Sequence, residues 1–186
     1  MVEERKIKRA SDAVYRIDVL FFKVIDLFRN TQQLLDRVPV KPGMKILDYG
    51  CGIGSYTIPL AKMVGSEGRI FAVDIQPLAI KAVEEKASKR GLTNVEAMLV
   101  DSYDTGIEES SVDLVLIIDT IHRIDDRDAM FQEMHKILKQ DGLLFLDKGH
   151  VDDSEIKEIV GNTNLFSIAE DREREVMLTP KSRPNR

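Results

Sequence analysis

Residues 46–54 read Ile-Leu-Asp-Tyr-Gly-Cys-Gly-Ile-Gly, an apolar run that leads into three alternate glycines. The apolar run predicts a buried strand. The glycines predict a tight loop after it, because a residue without a β-carbon adopts positive φ angles at little cost. Such a loop lets the backbone lie close to a flat nucleoside or amino-acid ligand. The stretch therefore predicts a strand that ends in a ligand-binding loop.

Short apolar runs and helical patterns alternate after this loop. Most of the apolar runs are too hydrophobic for strands with a wet face, so they predict a buried parallel sheet. The predicted strands span residues 45–49, 69–74, 95–100, 112–118 and 143–147. The predicted helices span residues 55–64, 77–90, 127–138 and 152–160. Residues 165–169 and 173–178 predict an antiparallel hairpin around a charged turn.

The two ends of the chain differ from this alternating core. Apolar residues at three- and four-residue steps predict a helix over residues 11–29, which either closes over the ligand crevice or packs on the sheet; the sequence favours packing. Asn30 with Gln33 resembles a capping box that opens a second short helix. We expect residues 1–40 to form a helical cap, residues 41–179 the core, and residues 180–186 a mobile tail.

Composition limits the function. A length of 186 residues with 43% hydrophobic content suits one domain. The formal net charge of −5 disfavours nucleic acid as a partner, because phosphate recognition needs clustered Lys and Arg. No apolar run reaches the roughly 20 residues of a membrane span, and Cys51 is the only cysteine. We therefore expect a cytoplasmic protein that acts on small molecules, with a monomer and a homodimer both open.

Aspartates stand at the ends of four predicted strands. Asp74 lies about 20 residues after the last loop glycine, the spacing at which a carboxylate accepts hydrogen bonds from a ribose diol. Asp101 can accept a hydrogen bond from an exocyclic amine such as that of adenine. Asp48 and Asp119 end the first and fourth strands. Four carboxylates around one crevice would repel a pyrophosphate but suit a cationic ligand with an amine and a ribose.

The loop matches the dinucleotide-binding pattern imperfectly, because Ser55 stands where that pattern has its third glycine. An aspartate two residues before Gly-x-Gly-x-Gly instead resembles motif I of the class I S-adenosylmethionine-dependent methyltransferases. The resemblance is strongest to their small-molecule branch, methyltransferase type 11, which includes quinone-biosynthesis enzymes. Further similar features follow in the expected order at residues 73–75, 100–102, 113–124 and 137–142.

The resemblance implies a fold and a cofactor. The fold is α/β, a doubly wound Rossmann-like sheet of seven mostly parallel strands in the order 3-2-1-4-5-7-6, with the last strand antiparallel. The cofactor is S-adenosylmethionine, which becomes S-adenosylhomocysteine. The loop glycines would border its methionine part, Asp74 its ribose, and Asp101 with the Ser102 amide its adenine. The implied cofactor-binding residues are Asp48, Gly50, Cys51, Gly52, Gly54, Asp74, Ile75, Asp101, Ser102 and Asp119.

The chain departs from the family in two places. It has Ile121-His122-Arg123-Ile124 where the family often has Leu-His-His-Ile, a change on the substrate side. It has Lys139-Gln140-Asp141-Gly142 where the family has Lys-Pro-Gly-Gly, and we expect that change to alter only a turn.

His122 is the candidate general base, because its ordinary pKa of about 6.5 suits proton transfer at neutral pH. A structural histidine is the competing interpretation. Lys148 and His150 follow the fifth strand, where a solvated loop is favoured over substrate contact. Cys51 has no histidine at an informative spacing, so we expect a packed residue rather than a nucleophile. A single cysteine also disfavours a metal centre.

The sequence thus predicts an S-adenosylmethionine-dependent methyltransferase that transfers a methyl group to an oxygen or carbon of a small molecule. Two alternatives stay open at this point. One is a non-catalytic cofactor-binding module that supports a partner protein. The other is a nicotinamide-dependent oxidoreductase with a related sheet, which Ser55 disfavours.

Overall fold

The computed structural model describes residues 7, 9, 11, 15, 31–149 and 151–183. Its strands form one seven-stranded sheet in the order β3-β2-β1-β4-β5-β7-β6, as the family resemblance implies. The chain divides into two compact units, Met1–Ser102 and Tyr103–Arg186. The strands are β1 (Lys45–Tyr49), β2 (Arg69–Asp74), β3 (Val95–Leu99), β4 (Val112–Ile117), β5 (Leu138–Asp147), β6 (Phe166–Asp171) and β7 (Glu175–Pro180).

Five α-helices lie within the described part of the chain. They are α1 (Thr31–Leu35), α2 (Thr57–Val64), α3 (Pro77–Ser88), α4 (Arg127–Ile137) and α5 (Asp153–Thr163), and a 3-10 helix covers Ile121–Arg123. Helix α3 begins with a proline at its first position, where the missing N–H costs nothing. Gly91, with φ of 64°, follows its end. Each helix predicted within the core is present, but the bounds differ. Helix α2 starts two residues later than expected, α3 ends two residues earlier, α4 ends one residue earlier, and α5 starts one residue later and ends three residues later.

The first unit is built on three parallel strands. Strand β1 pairs with β2, and β2 pairs with β3, in continuous parallel register. Four of the five β1 residues are buried, as expected of a strand covered on both faces. The bounds predicted for β1 and β2 are confirmed, and they place the carboxyl ends of these two strands side by side.

The second unit contains the antiparallel part of the sheet. Strand β4 pairs in parallel with β5, whereas β7 is antiparallel to both β5 and β6. The predicted hairpin is therefore confirmed, although each of its strands starts one or two residues later than expected.

Strand β5 corrects the sequence interpretation. We expected a helix to residue 138, a turn, and a strand from residue 143; the structure starts the strand at Leu138. Val112 pairs with Leu138 and Leu114 with Leu143, so four residues of β5 bulge opposite one residue of β4. A β-carbon on Gly142 would lie 2.9 Å from Leu138 Cδ2 and 3.0 Å from the Lys139 carbonyl oxygen. The bulge is therefore closely packed around Gly142, and a side chain there would force its neighbours to shift.

The end of the described chain also differs from the expected mobile tail. The Lys181 N–H donates to the Leu165 carbonyl at 2.8 Å. The Arg183 guanidinium donates to the carbonyls of Lys136 at 2.8 Å and Leu138 at 2.9 Å, and also to that of His135. These carbonyls lie at the C-terminal end of α4, where the last carbonyl groups of a helix have no N–H partner within the helix. Residues 180–183 are thus anchored, and residues 184–186 lie outside the described residues.

Most of the predicted N-terminal helix over residues 11–29 also lies outside the described residues. Tyr15 is buried, and its N–H donates to the Ser11 carbonyl at 2.9 Å. The cap assigned to residues 1–40 stays a prediction. Among the helices that the structure describes, none has the length and apolar character needed to cross a membrane.

Candidate functional site

The glycine loop leaves β1 with three positive φ angles, 75° at Gly50, 53° at Gly52 and 80° at Gly54. Side chains other than glycine adopt this region only at a cost, which explains the residue type at all three positions. The N–H groups of Gly50 and Cys51 donate to the Val73 carbonyl at 2.8 and 3.0 Å. The loop is therefore fixed to the end of the neighbouring strand, β2.

Asp74 is the half-buried last residue of β2 and faces this loop. Its Oδ2 accepts a hydrogen bond from the Gly52 N–H at 2.9 Å, and its Oδ1 accepts one from the Gln76 N–H at 2.8 Å. These two bonds fix the orientation of the carboxylate, whose oxygens can each accept more than one hydrogen bond. The structure thus brings together the loop and the carboxylate that the sequence pairs by spacing.

Asp48 lies at the other side of the loop and is 2% exposed. The Thr57 hydroxyl donates to its Oδ2 at 2.6 Å. Burial raises the pKa of the Asp48 carboxyl to about 6, the Thr57 hydrogen bond opposes this shift, and the charge of Asp74 adds to it. A buried carboxyl therefore stands directly beneath the glycine loop.

The Cys51 side chain points into the core. It packs with Ala72, Ile80 and Val83 and is 6% exposed. Burial and the nearby carboxylates of Asp48 and Asp74 raise the pKa of the thiol well above its usual value of 9.0. Since the thiolate is the nucleophilic form, the structure agrees with a packing role for this side chain.

Three further candidates follow the strands of the first unit. Asp101 is exposed after β3, and its carbonyl accepts a hydrogen bond from the Ile7 N–H at 2.9 Å. Ser102 and Ile75 are half-buried. Ile7, which precedes the core in sequence, therefore contacts the segment after β3 that is predicted to hold adenine.

The second unit holds Asp119 and His122. Asp119 has a φ of 53°, an uncommon value for a residue with a side chain. A β-carbon on Gly149 would lie 3.8 Å from Asp119 Oδ1, so this carboxylate lies over the start of the segment after β5. His122 is exposed in the 3-10 helix, and Arg123 Nε donates to its Nε2 at 3.4 Å.

Lys148 is buried rather than solvated, which corrects the favoured sequence interpretation. Only 4% of the residue is exposed. Its ammonium donates to Asp153 Oδ1 at 2.6 Å, to Asp171 Oδ1 at 2.7 Å and to the Arg172 carbonyl. Burial lowers the pKa of Lys148, but the hydrogen bonds to the two carboxylates outweigh it and raise the pKa above its usual value. The residue ties α5 to the β6–β7 turn, while His150 lies outside the described residues.

Three residues that support the loop were missed by the sequence analysis. They are Thr57, which binds Asp48; Gln76, whose N–H binds Asp74; and Lys86, whose Nζ donates to the Ile53 carbonyl at 2.6 Å. Thr57 stands at the start of the helix that follows the loop, a position at which a hydroxyl is a recognisable signal. Nothing in the sequence pairs Lys86 with Ile53, since 33 residues separate them.

Known proteins are similar to this chain in sequence. A demethylmenaquinone methyltransferase of Geobacillus stearothermophilus is 31% identical over 112 residues, which are 60% of this chain and 48% of that protein. A nocamycin O-methyltransferase of Saccharothrix syringae is 32% identical over 66% of this chain and 44% of its own length. The chain thus spans about half the length of these curated relatives.

A solved structure confirms the fold. The crystal structure of a SAM-dependent methyltransferase from Aquifex aeolicus superposes with a TM-score of 0.74 and 24% identity, covering 82% of this chain and 90% of that one. The family model described as "Methyltransferase domain" matches residues 40–177, which include strands β1 to β6 and the first half of β7. On this match, the chain belongs to the methyltransferase domain family.

Proposed function

We propose that this chain catalyses S-adenosylmethionine-dependent transfer of a methyl group to an oxygen or carbon atom of a small molecule. The observation that carries the proposal is the Asp74 carboxylate, which is oriented by the Gly52 and Gln76 N–H groups at the edge of the glycine loop. A carboxylate fixed beside such a loop suits the vicinal hydroxyls of a ribose.

The loop has room for this cofactor on one side. A β-carbon on Gly52 would meet no atom within 4 Å, whereas one on Gly54 would lie 3.0 Å from Val83 Cγ2. The Gly54 side of the loop is therefore packed against α3, and the Gly52 side is open. We propose that the methionine part lies against Gly52, the ribose on Asp74, and the adenine near Asp101 and Ser102.

Charge supports a cationic ligand. The buried Asp48 and the half-buried Asp74 place two carboxyl groups at the loop. When bound, S-adenosylmethionine supplies a methyl group activated by a positively charged sulfur. Negative protein charge near the loop attracts that cation, while a pyrophosphate would be repelled. The contacts assigned to Asp119 and the loop-mediated role of Asp48 stay predictions.

His122 is the proposed base. Its exposed position in the 3-10 helix leaves the imidazole accessible from solvent. It would accept the proton that an acceptor hydroxyl or acidic carbon loses as the new bond to the methyl carbon forms. Most of the rate would come from holding the acceptor atom about 3 Å from that carbon.

The cofactor assignment is tested by calorimetry with S-adenosylhomocysteine. We expect Asp74→Ala to weaken binding by about 1–3 kcal/mol, because charge-assisted hydrogen bonds to the ribose are lost. Glu96→Gln is the matched control, since this half-buried residue of β3 pairs its carboxylate with Arg69 at 3.0 Å rather than with the loop. Unchanged affinity in Asp74→Ala would refute the ribose assignment.

The acceptor is proposed only as a class. The named relatives are a demethylmenaquinone methyltransferase and a nocamycin O-methyltransferase, and these names support a small organic acceptor. The net charge of −5 supports the further proposal that nucleic acid is not the substrate, and we propose a cytoplasmic location.

Incubation with cell extracts and cofactor, followed by mass spectrometry, should reveal a product heavier by one methyl group. Retention on immobilised RNA with methylation of the RNA would contradict this class.

A further inference from the structure

We infer that Lys86 is a positioning residue for the glycine loop, and that its hydrogen bond to the Ile53 carbonyl sets the affinity for the cofactor. The inference rests on the proposed function for the identity of the cofactor. The role of Lys86 in ordering the loop is argued from contacts within the first unit alone. The Lys86 ammonium reaches the carbonyl at 2.6 Å and is half-buried. A bond from an ammonium to a carbonyl is charge-assisted and stronger than a neutral one.

Helix α3 supports the loop at two adjacent points. Val83 and Lys86 are three residues apart, so they lie on the same face of the helix. Val83 is fully buried and would lie 3.0 Å from a β-carbon on Gly54. Lys86, about one turn further, holds the carbonyl of the preceding residue, Ile53. The two contacts together fix the peptide that joins Ile53 to Gly54.

The same helix also orients the ribose carboxylate. The residue that precedes α3, Gln76, donates its N–H to Asp74 at 2.8 Å. Asp74 in turn accepts the Gly52 N–H at 2.9 Å. One helix therefore touches both the carboxylate, near its start, and the loop, near its end. Without Lys86, the loop would keep the hydrogen bonds from its N–H groups to Val73 and Asp74 but lose the charge-assisted bond to the Ile53 carbonyl.

This arrangement predicts an effect on binding rather than on chemistry. When a loop samples several conformations and only one of them binds, the apparent dissociation constant equals the intrinsic one divided by the fraction of molecules in that conformation. If removal of Lys86 reduces that fraction to about a tenth, affinity falls about tenfold. The KM for S-adenosylmethionine should rise by the same factor while kcat stays unchanged, because Lys86 contacts the loop and not the reacting atoms.

The test uses three variants of the whole chain. We expect Lys86→Met to bind S-adenosylhomocysteine about tenfold more weakly than the wild type, and Lys86→Arg to recover most of the loss, because a guanidinium also donates to the carbonyl. Lys81→Met is the matched control, an exposed lysine on the same helix, and should bind normally. Hydrogen exchange of the Gly52 and Gly54 amides without ligand should accelerate in Lys86→Met alone.

The outcomes separate the two proposals. Wild-type affinity and wild-type loop exchange in Lys86→Met would overturn the inference. A lower melting temperature in Lys86→Met with unchanged affinity would also overturn it, because that result assigns Lys86 to stability alone. If the wild type binds neither S-adenosylmethionine nor S-adenosylhomocysteine, the proposed function fails. In that case the exchange comparison between Lys86→Met and Lys81→Met still decides whether Lys86 orders the loop.

Discussion

The glycine loop after β1 and the turn after β4 both follow a parallel strand, yet they are held in different ways. The loop is fixed largely through its backbone, whose N–H groups donate to Val73 and Asp74. The turn carries two exposed side chains, His122 and Arg123, whose ring and guanidinium nitrogens lie 3.4 Å apart. A loop fixed by backbone hydrogen bonds and positive φ angles restricts its residue types to glycine and aspartate. A turn that carries exposed side chains can accept other residue types.

The largest effect is expected at Asp48, under the loop. Its pKa of about 6 in the folded state exceeds the ordinary 3.8, so the folded state binds the proton more tightly. The free energy of unfolding should therefore fall as pH rises from about 4 to 6. The group's share of that fall is about 3 kcal/mol, at about 1.36 kcal/mol per pKa unit. Urea denaturation of Asp48→Asn across this window should lack that share.

Thr57→Val sharpens the same test. The Thr57 hydroxyl stabilises the ionised carboxylate, so its removal should raise the pKa of Asp48 further. The pH dependence of unfolding should then extend to higher pH than in the wild type. Identical pH profiles for the wild type and Asp48→Asn would show that Asp48 does not titrate in this window.

A smaller effect separates the two sides of the loop. Gly54→Ala should lower the free energy of unfolding by about 2 kcal/mol, because its φ of 80° disfavours a side chain and Val83 is close. Gly52→Ala should cost about half as much, since its β-carbon would meet open space. Calorimetry should show the reverse order for S-adenosylhomocysteine, with at least tenfold weaker binding in Gly52→Ala. Equal losses of affinity would contradict an open, ligand-facing Gly52.

The smallest effect on stability is expected in the turn after β4. His122→Gln should change the free energy of unfolding by less than about 0.5 kcal/mol, because the side chain is exposed. With an acceptor from the extract screen, kcat should fall at least tenfold while S-adenosylhomocysteine affinity stays constant. Asp125→Asn, an exposed neighbour, serves as the control. A wild-type kcat in His122→Gln would remove His122 from the mechanism.

The fold was largely predictable from the sequence. Strand β1 is buried on both faces after its first residue, and β2 is buried on both faces at Ala72 and Val73, so their apolar runs give their limits directly. Strand β5 was placed five residues too late, because Gln140 and Asp141 are exposed residues of a bulge and read as a turn. A bulge depends on the partner strand, which a local pattern does not contain.

The site was predictable where the spacing of residues along the sequence indicates which of them lie together. The pairing of Asp74 with the loop follows from its position at the end of the next strand, and the structure places it 2.9 Å from Gly52. Lys148 was predicted to be solvated and Lys86 was missed, because a lysine in a sequence is ordinarily expected on the solvent-exposed surface. Their partners are distant in sequence, as with Asp171, which lies 23 residues after Lys148.

The two backbone hydrogen bonds to Asp74 have a consequence for the thermodynamics of ligand capture. They select one orientation of the carboxylate before any ligand arrives. Ordering a free side chain during association costs about 0.5–1.5 kcal/mol in lost rotational entropy. Folding has already incurred that cost here, so the proposed ribose diol would meet a carboxylate that need not rearrange. Ligand capture at this carboxylate should then be limited by diffusion and desolvation rather than by side-chain motion.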